Sequence, residues 1–302
     1  MLSGSIFREV VTVIRGLIKT MRPKQWVKNG FVFIPLLFDI KLFKPTYLLP
    51  TLAGFVLWCL IAGSVYIIND LAGAEKDRLH PKKRHRPIPS GQLSRNTALV
   101  AAVLIPLVIL PLAALLDPFF GAILASYFVL QIAYSFWLKQ VVILDVMIIA
   151  AGYVLRVASG VPLVEAERFS PWMYIFTTVL ALFLALGKRR GELVLLKENA
   201  DSHRSSLQDY NLPLLDEMMS IVTASIVVTY AFYTFSAPNL PANHAMMLTT
   251  PFVLYGIFRY LYLIHSKGIT AAPDEIALSD RPLQITVILW GLTVVIVMYF
   301  LG

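Results

Sequence analysis

The stretch Tyr47-Leu-Leu-Pro-Thr-Leu-Ala-Gly-Phe-Val-Leu-Trp-Cys-Leu-Ile-Ala-Gly-Ser-Val-Tyr-Ile-Ile68 carries no charged residue in 22 positions. A hydrocarbon core about 30 Å thick needs about 20 apolar residues of helix, so this run reads as a membrane span. Its continuation, Asn69-Asp70-Leu-Ala-Gly73-Ala-Glu75-Lys-Asp77-Arg78, brings carboxylates to the point where the helix leaves the apolar region. Fold class and chemistry meet at that junction.

Outward from it, similar runs recur at 30–42, 97–116, 119–138, 141–161, 172–186, 218–235, 246–264 and 283–301, about nine spans in all. The first of these is short and contains Pro35. The runs are continuous and lack the alternation of a lipid-facing strand, which excludes a β-barrel. The 302 residues are 58% hydrophobic and only 15% charged, with a mean hydropathy of +0.72. An ordinary soluble domain is about 25% charged. A soluble enzyme, a disordered protein and a nucleic-acid partner are therefore excluded in spite of a pI near 9.5. The single cysteine, Cys59, sits within the quoted span, so no intrachain disulfide can form. Without a fixed-period repeat or a polar linker, residues 1–302 read as one all-α, polytopic membrane domain.

Orientation follows from Lys and Arg. The arm to Lys28, the segment 69–96, Lys139, the segment 187–216, Lys267 and Arg281 carry 21 of the 26, against Lys41, Lys44 and Arg168 on the alternate side. The positive-inside rule assigns the basic loops, and a cavity opening among them, to the cytoplasm of a bacterial plasma membrane. Within the 1–28 arm, Ile6, Phe7, Val10, Val13, Ile14, Leu17 and Ile18 recur at helical spacing opposite Arg8, Arg15 and Lys19, the pattern of an amphipathic helix on the lipid surface.

Basic loops alone would satisfy topology, but they do not account for the acids. Seven residues advance a helix by about 700°, so Asp70 and Asp77 share a face, with Asn69 beside them. Oxygen donors of this kind suit Mg²⁺ shared with substrate phosphates. Next comes His80-Pro-Lys-Lys83-Arg84-His85-Arg86-Pro, four cations in five residues, an arrangement suited to a polyanion. His80 and His85 have no cysteine partner and lie among cations, which argues against zinc. Two further groups belong to the same mouth: Gly187-Lys188-Arg189-Arg190-Gly191-Glu192 at the exit of the sixth span, and Tyr134 with Lys139 after the fourth. Asp145 and Arg156 lie eleven residues apart on one stripe of the fifth span, and a charge there calls for a wet cavity or a partner. A carboxylate face ringed by cations points to a diphosphate substrate.

These residues resemble the UbiA superfamily of intramembrane prenyltransferases, whose pattern N-D-x-x-D-x-x-x-D is carried here by Asn69-Asp70…Asp77. The resemblance extends to Arg22-Pro-Lys24-Gln25-Trp26-Val-Lys28-Asn29, Ala133-Tyr134…Lys139, Gly187-Lys188-Arg189…Glu192 and Asp274…Asp280-Arg281, and it favours the branch that transfers phosphoribosyl groups. It implies a reaction between phosphoribosyl diphosphate and a polyprenyl phosphate, releasing diphosphate, in cell-wall arabinan precursor synthesis. Mg²⁺ would sit on Asn69, Asp70 and Asp77, while Lys83, Arg84 and Arg86 hold the diphosphate and Lys28, Lys139, Arg156 and Lys188 share the other phosphates. Asp70, Asp77, Arg156 and Lys188 form the implied catalytic set. Tyr66, Tyr134, Asp145, Arg189 and Glu192 complete the implied substrate contacts. Membrane lipids are partners, nucleic acid is not, and a homo-oligomer is compatible with the reading.

One position departs from the pattern: Gly73 stands where an aspartate is usual, and Glu75 lies on a different face from Asp70 and Asp77. Either the site works with fewer carboxylates or the glycine breaks the helix. The competing activity is prenyl transfer from a diphosphate to an aromatic acceptor, which would need fewer cations. A transporter using Asp145 and Arg156 is disfavoured, because no inverted repeat is present and charge concentrates at one mouth.

Overall fold

The computed structural model describes residues 2–79, 83–166, 170–198, 207 and 209–301. His80, Pro81 and Lys82 of the basic run, Arg168, and most of the segment between 199 and 208 lie outside the described residues. Eleven α-helices are present among the described residues: α1 (Leu2–Thr20), α2 (Ile34–Phe38), α3 (Pro45–Leu79), α4 (Arg95–Leu116), α5 (Pro118–Phe136), α6 (Leu144–Leu163), α7 (Pro171–Glu198), α8 (Leu212–Ser236), α9 (Thr250–His265), α10 (Pro273–Ser279) and α11 (Arg281–Phe300).

Among the described residues eight helices are long and apolar enough to cross a membrane, namely α3 to α8, Ala245–His265 and α11. The expectation from the sequence is about nine, and the difference lies in the run 30–42. The run 30–42 does not form a span: Pro23–Phe33 is a 3-10 helix and α2 adds only five residues. Thirteen residues fall short of a bilayer crossing, and this segment instead packs between α3 and α6. Gly160 of α6 permits the contact, since a Cβ there would drive into the Val32 carbonyl.

Helix ends follow their capping residues. Asp117 accepts from Phe120 N at 2.8 Å to start α5, Asn211 from Leu214 N at 2.8 Å to start α8, and Asp280 from Leu283 N at 3.0 Å to start α11. The longest element is α3, whose 35 residues rise about 52 Å, well beyond a 30 Å hydrocarbon layer. Pro50, near its start, does not interrupt it, and the helix runs on to Leu79, so residues 69–79 of the expected loop 69–96 are helix. In the same way α7 carries residues 187–198 as helix rather than loop.

The apolar side chains form three contiguous cores. One gathers α6 to α11 around Phe183, Tyr230, Tyr233 and Met246. A second joins α3, α4, α5 and α6 around Trp58, Phe120 and Leu124. The third packs Val13 and Leu17 of α1 against Ile67, Ala74, Ile88 and Leu93, tying the N-terminal helix to α3 and the basic loop. Outward faces remain apolar, as at Leu107, Phe119, Val129, Ile221 and Ile288, which is the surface a lipid-embedded bundle presents.

Candidate active site

Between α3, α5, α6 and α7, at the end bearing the basic loops, lies a cavity of about 420 Å³. Because α3 is unbroken, Asp70 and Asp77 face it together from positions two turns apart. The Arg86 guanidinium bridges them, Nη1 donating to Asp70 Oδ1 at 3.1 Å and to Asp77 Oδ2 at 2.6 Å. Arg22 Nη2 donates to the same Asp70 oxygen at 2.6 Å, and its guanidinium stacks 4.8 Å from the Tyr66 ring centroid. Arg22 sits on a left-handed backbone (φ 54°, ψ 66°) that turns the chain from α1 into the 3-10 helix. Tyr66 Oη donates to Gln25 Oε1 at 2.6 Å, fixing the neighbouring wall.

Seven cations line this cavity: Arg22, Lys28, Lys83, Arg86, Lys139, Arg156 and Lys188. Against them stand three carboxylates, Asp70, Asp77 and Asp274. Lys28 Nζ meets Asp274 Oδ1 at 3.0 Å, so α10 near the C-terminus closes one side of a wall begun at the N-terminus. Of the residues expected from the sequence, the structure gathers Lys28, Tyr66, Asn69, Asp70, Asp77, Lys83, Arg86, Tyr134, Lys139, Arg156 and Lys188 around one space.

Four expected residues lie elsewhere. Arg84 is exposed and bonds His85 at 3.3 Å. Asp145, Arg189 and Glu192 form a network behind the wall. Arg189 Nε donates to Asp145 Oδ2 at 2.5 Å, another of its nitrogens donates to Glu192, and Nη2 donates to Tyr134 Oη at 3.0 Å. Tyr210 Oη donates to Asp145 Oδ1 at 2.8 Å, and burial pushes that phenol up to about 12, so it remains a donor. Asp145 thus pairs with α7 and not with Arg156. The eleven-residue spacing puts both on one stripe but about 16 Å apart along the axis, far beyond ion-pair reach.

Arg22, Gln25, Asn29, Tyr127, Gln131, Tyr153 and Asp274 were given no role in the sequence reading. A signal did exist for some of them. Tyr127, Gln131 and Tyr134 follow an i, i+4, i+7 stripe inside an apolar helix, and Arg22 and Gln25 stand in the motif that ends at Asn29.

The donor set can be tested against a metal on its own chemistry. Asp70 and Asp77 are hard oxygen donors on one face, Asn69 lines the same cavity, and one cationic group, Arg86, already addresses both acids. This fits a hard divalent cation such as Mg²⁺. Among the described residues no group of three His, Cys, Asp or Glu side chains forms a self-sufficient metal cage, so such an ion would complete its shell with water or ligand. At Gly73 the backbone is helical without a positive φ, and a Cβ would meet only the Asp77 carboxylate at 3.9 to 4.0 Å. Glu75 points to solvent and pairs with Arg78 at 3.0 Å.

A helical bundle of this kind with an acid-and-cation cavity at one end belongs to a known class: the chain is a member of the UbiA prenyltransferase family, whose model matches residues 40–275. It is a multi-pass membrane protein. Among individual relatives, it is 33% identical to the decaprenyl-phosphate phosphoribosyltransferase of Mycolicibacterium smegmatis, over 95% of this chain and 94% of that protein. It is 31% identical to the protein of the same name from Corynebacterium glutamicum, over 95% of this chain and 87% of that protein. A UbiA homologue from Archaeoglobus fulgidus, solved bound to GPP and Mg²⁺, has the same fold, with a TM-score of 0.71 at 18% identity over 94% of this chain and 99% of that one.

Proposed function

We propose that the chain transfers the 5-phosphoribosyl group of phosphoribosyl diphosphate to a polyprenyl phosphate and releases diphosphate. The observation that carries this reading is the convergence of seven cations on the cavity that Asp70 and Asp77 face, more than one diphosphate requires. Two phosphorylated substrates held together would use them. The names of the two bacterial relatives support the same acceptor class. Asp70 and Asp77, with Asn69 alongside, would hold Mg²⁺, which supplies positive charge beside the departing diphosphate. In this reading Arg86, Arg22 and Lys83 would hold the diphosphate oxygens, and Lys28, Lys139, Lys188 and Arg156, which line the same cavity, the remaining phosphates.

The lipid phosphate oxygen forms the new bond to the anomeric carbon as the bond from that carbon to diphosphate breaks, and diphosphate leaves with the electron pair. No side chain has to remove a proton first, because a phosphomonoester has a second pKa of about 6 and is already largely dianionic at neutral pH. The residues serve orientation and charge stabilisation. The positive-inside asymmetry supports a cavity facing the cytoplasm, the bacterial relatives support a bacterial plasma membrane, and arabinan precursor synthesis is the process this reading implies.

The test is to give purified protein labelled phosphoribosyl diphosphate, polyprenyl phosphate and Mg²⁺, and in parallel a prenyl diphosphate with an aromatic acid. Labelled lipid from the first pair is expected. Product from the second pair alone refutes the reading in favour of aromatic prenylation.

A further inference from the structure

The inner wall of the cavity includes Arg156, and the surroundings of that guanidinium are chemically distinctive. The residue is 7% exposed and lies within α6, a helix of membrane-spanning length. Its Nε donates to Asn29 Oδ1 at 2.8 Å, its Nη1 to the Gly152 carbonyl at 2.6 Å and its Nη2 to Tyr127 Oη at 2.9 Å. The guanidinium carbon lies 4.9 Å from the Trp58 ring centroid and 4.7 Å from that of Tyr127. Every one of these partners is neutral. The acids of the region are engaged elsewhere: Asp70 with Arg22 and Arg86, Asp77 with Arg86, Asp274 with Lys28, and Asp145 with Arg189.

Dipoles and π faces orient a guanidinium without cancelling its charge. Three of its five N–H groups are used, and the side chain lines the cavity. A buried charge is ordinarily paired, and an aspartate at position 29 would pair this one with no change of shape. The chain has an amide there instead. Asn29 is 1% exposed, and its Nδ2 donates to Cys59 Sγ at 3.3 Å, which fixes its oxygen toward Arg156.

Trp58 precedes Asp70 by twelve residues of unbroken helix, about 18 Å of rise between their backbones, and the Arg156 guanidinium held against the Trp58 ring lies on the inner side of the carboxylate pair. A diphosphate on the carboxylate face and an anion on Arg156 are then different groups. We infer that Arg156 receives a phosphomonoester deep in the cavity, and that Asn29 is a positioning residue that holds Arg156 while leaving its charge uncompensated. Both proposed substrates carry such a group, the 5-phosphate of the ribosyl donor and the phosphate of the lipid. The inference deepens the proposed function, and its test uses binding alone, so it can fail or succeed apart from the identity of the transferred group.

The experiment compares the parent protein with Asn29→Asp for affinity toward ribose 5-phosphate, farnesyl phosphate and Mg²⁺-diphosphate, with the ligand-free thermal midpoint as a fold control. The aspartate should leave the midpoint equal or higher. It should weaken one or both monoesters by about tenfold or more, as expected when a buried charge is cancelled, and change Mg²⁺-diphosphate by less than about threefold. The monoester that weakens identifies the group bound at Arg156. Parent-like affinity for both monoesters, or equal losses for all three ligands, overturns the inference. If Asn29→Asp does not fold, Arg156→Lys and Arg156→Gln decide: the lysine should retain monoester affinity that the glutamine loses, and equal losses in both overturn it.

Discussion

Asp70 and Asp77 share one guanidinium, and this fixes what their neutralisation should do. In Asp70→Asn, Arg86 still has Asp77 at 2.6 Å, and in Asp77→Asn it still has Asp70 at 3.1 Å. Asp70→Asn also takes the carboxylate from Arg22, but that side chain is partly exposed and keeps its place over the Tyr66 ring, so neither change strands a fully buried charge and the bundle should keep its thermal midpoint. Turnover should nevertheless fall by about a hundredfold or more, the scale of losing one electrostatic element at a transition state. Retained turnover in Mg²⁺ would refute the metal assignment. Gly73 makes a complementary case. Its helical backbone shows that the glycine does not answer a conformational need, and a side chain there faces the Asp77 carboxylate. Gly73→Asp should therefore lower the Mg²⁺ concentration for half-maximal activity several-fold. Gly73→Ala should leave the metal requirement unchanged and raise stability by about 0.5–1 kcal/mol. Equal loss of activity in both would mean that the cavity needs the space and not the missing acid.

At the scale of elements, the Asp145–Arg189 pair joins α6 to α7, and Tyr134 and Tyr210 bring in α5 and the approach to α8. Both charged side chains are completely buried. Arg189→Met should cost about 3–5 kcal/mol, because it leaves the Asp145 carboxylate buried without a cation, whereas Asp145→Asn should cost less, since Arg189 keeps Glu192. Replacing both by apolar residues, Asp145→Leu with Arg189→Met, should recover much of the midpoint. Thermal unfolding in detergent checks this, and a double variant no better than Arg189→Met would contradict it. These two residues also mark how far the sequence could be read. The membrane-length helices were legible because 20-residue apolar runs leave the chain few alternatives in lipid, and the Asp70–Asp77 face was legible because it depends only on helical period. The partner of Asp145 was not, since it comes from another helix by tertiary packing. The 30–42 run has apolar character without the length of a span, and it lies between α3 and α6 as 3-10 and short α segments. Arg84 and Arg86 were indistinguishable in a basic loop whose conformation no periodicity dictates.

For the molecule as a whole, the cavity sets seven cations against three carboxylates, and every one of those carboxylates already has a cationic partner. A divalent cation entering alone meets a positive field and must displace Arg22 and Arg86 from Asp70 and Asp77. A diphosphate entering alone meets the cations but also the two acids. Together they relieve both conflicts, because arginines released by the metal become donors to the diphosphate oxygens. The two ligands should consequently bind with strong mutual coupling. Mg²⁺ affinity should be weak in the bare protein and rise by about tenfold or more with saturating diphosphate, within the usual range for coupled sites or above it. Linkage then requires that Mg²⁺ tighten diphosphate by the same factor. The measurement is a thermal-midpoint titration with Mg²⁺ at zero and saturating diphosphate, its reciprocal, and a chelator control returning the midpoint to that of the bare protein. Arg22→Gln should shrink the coupling by strengthening Mg²⁺ binding in the absence of diphosphate, since one competitor for Asp70 is gone. Equal Mg²⁺ affinity with and without diphosphate would show instead that the arginines do not guard the carboxylates, and that metal and substrate bind as independent events.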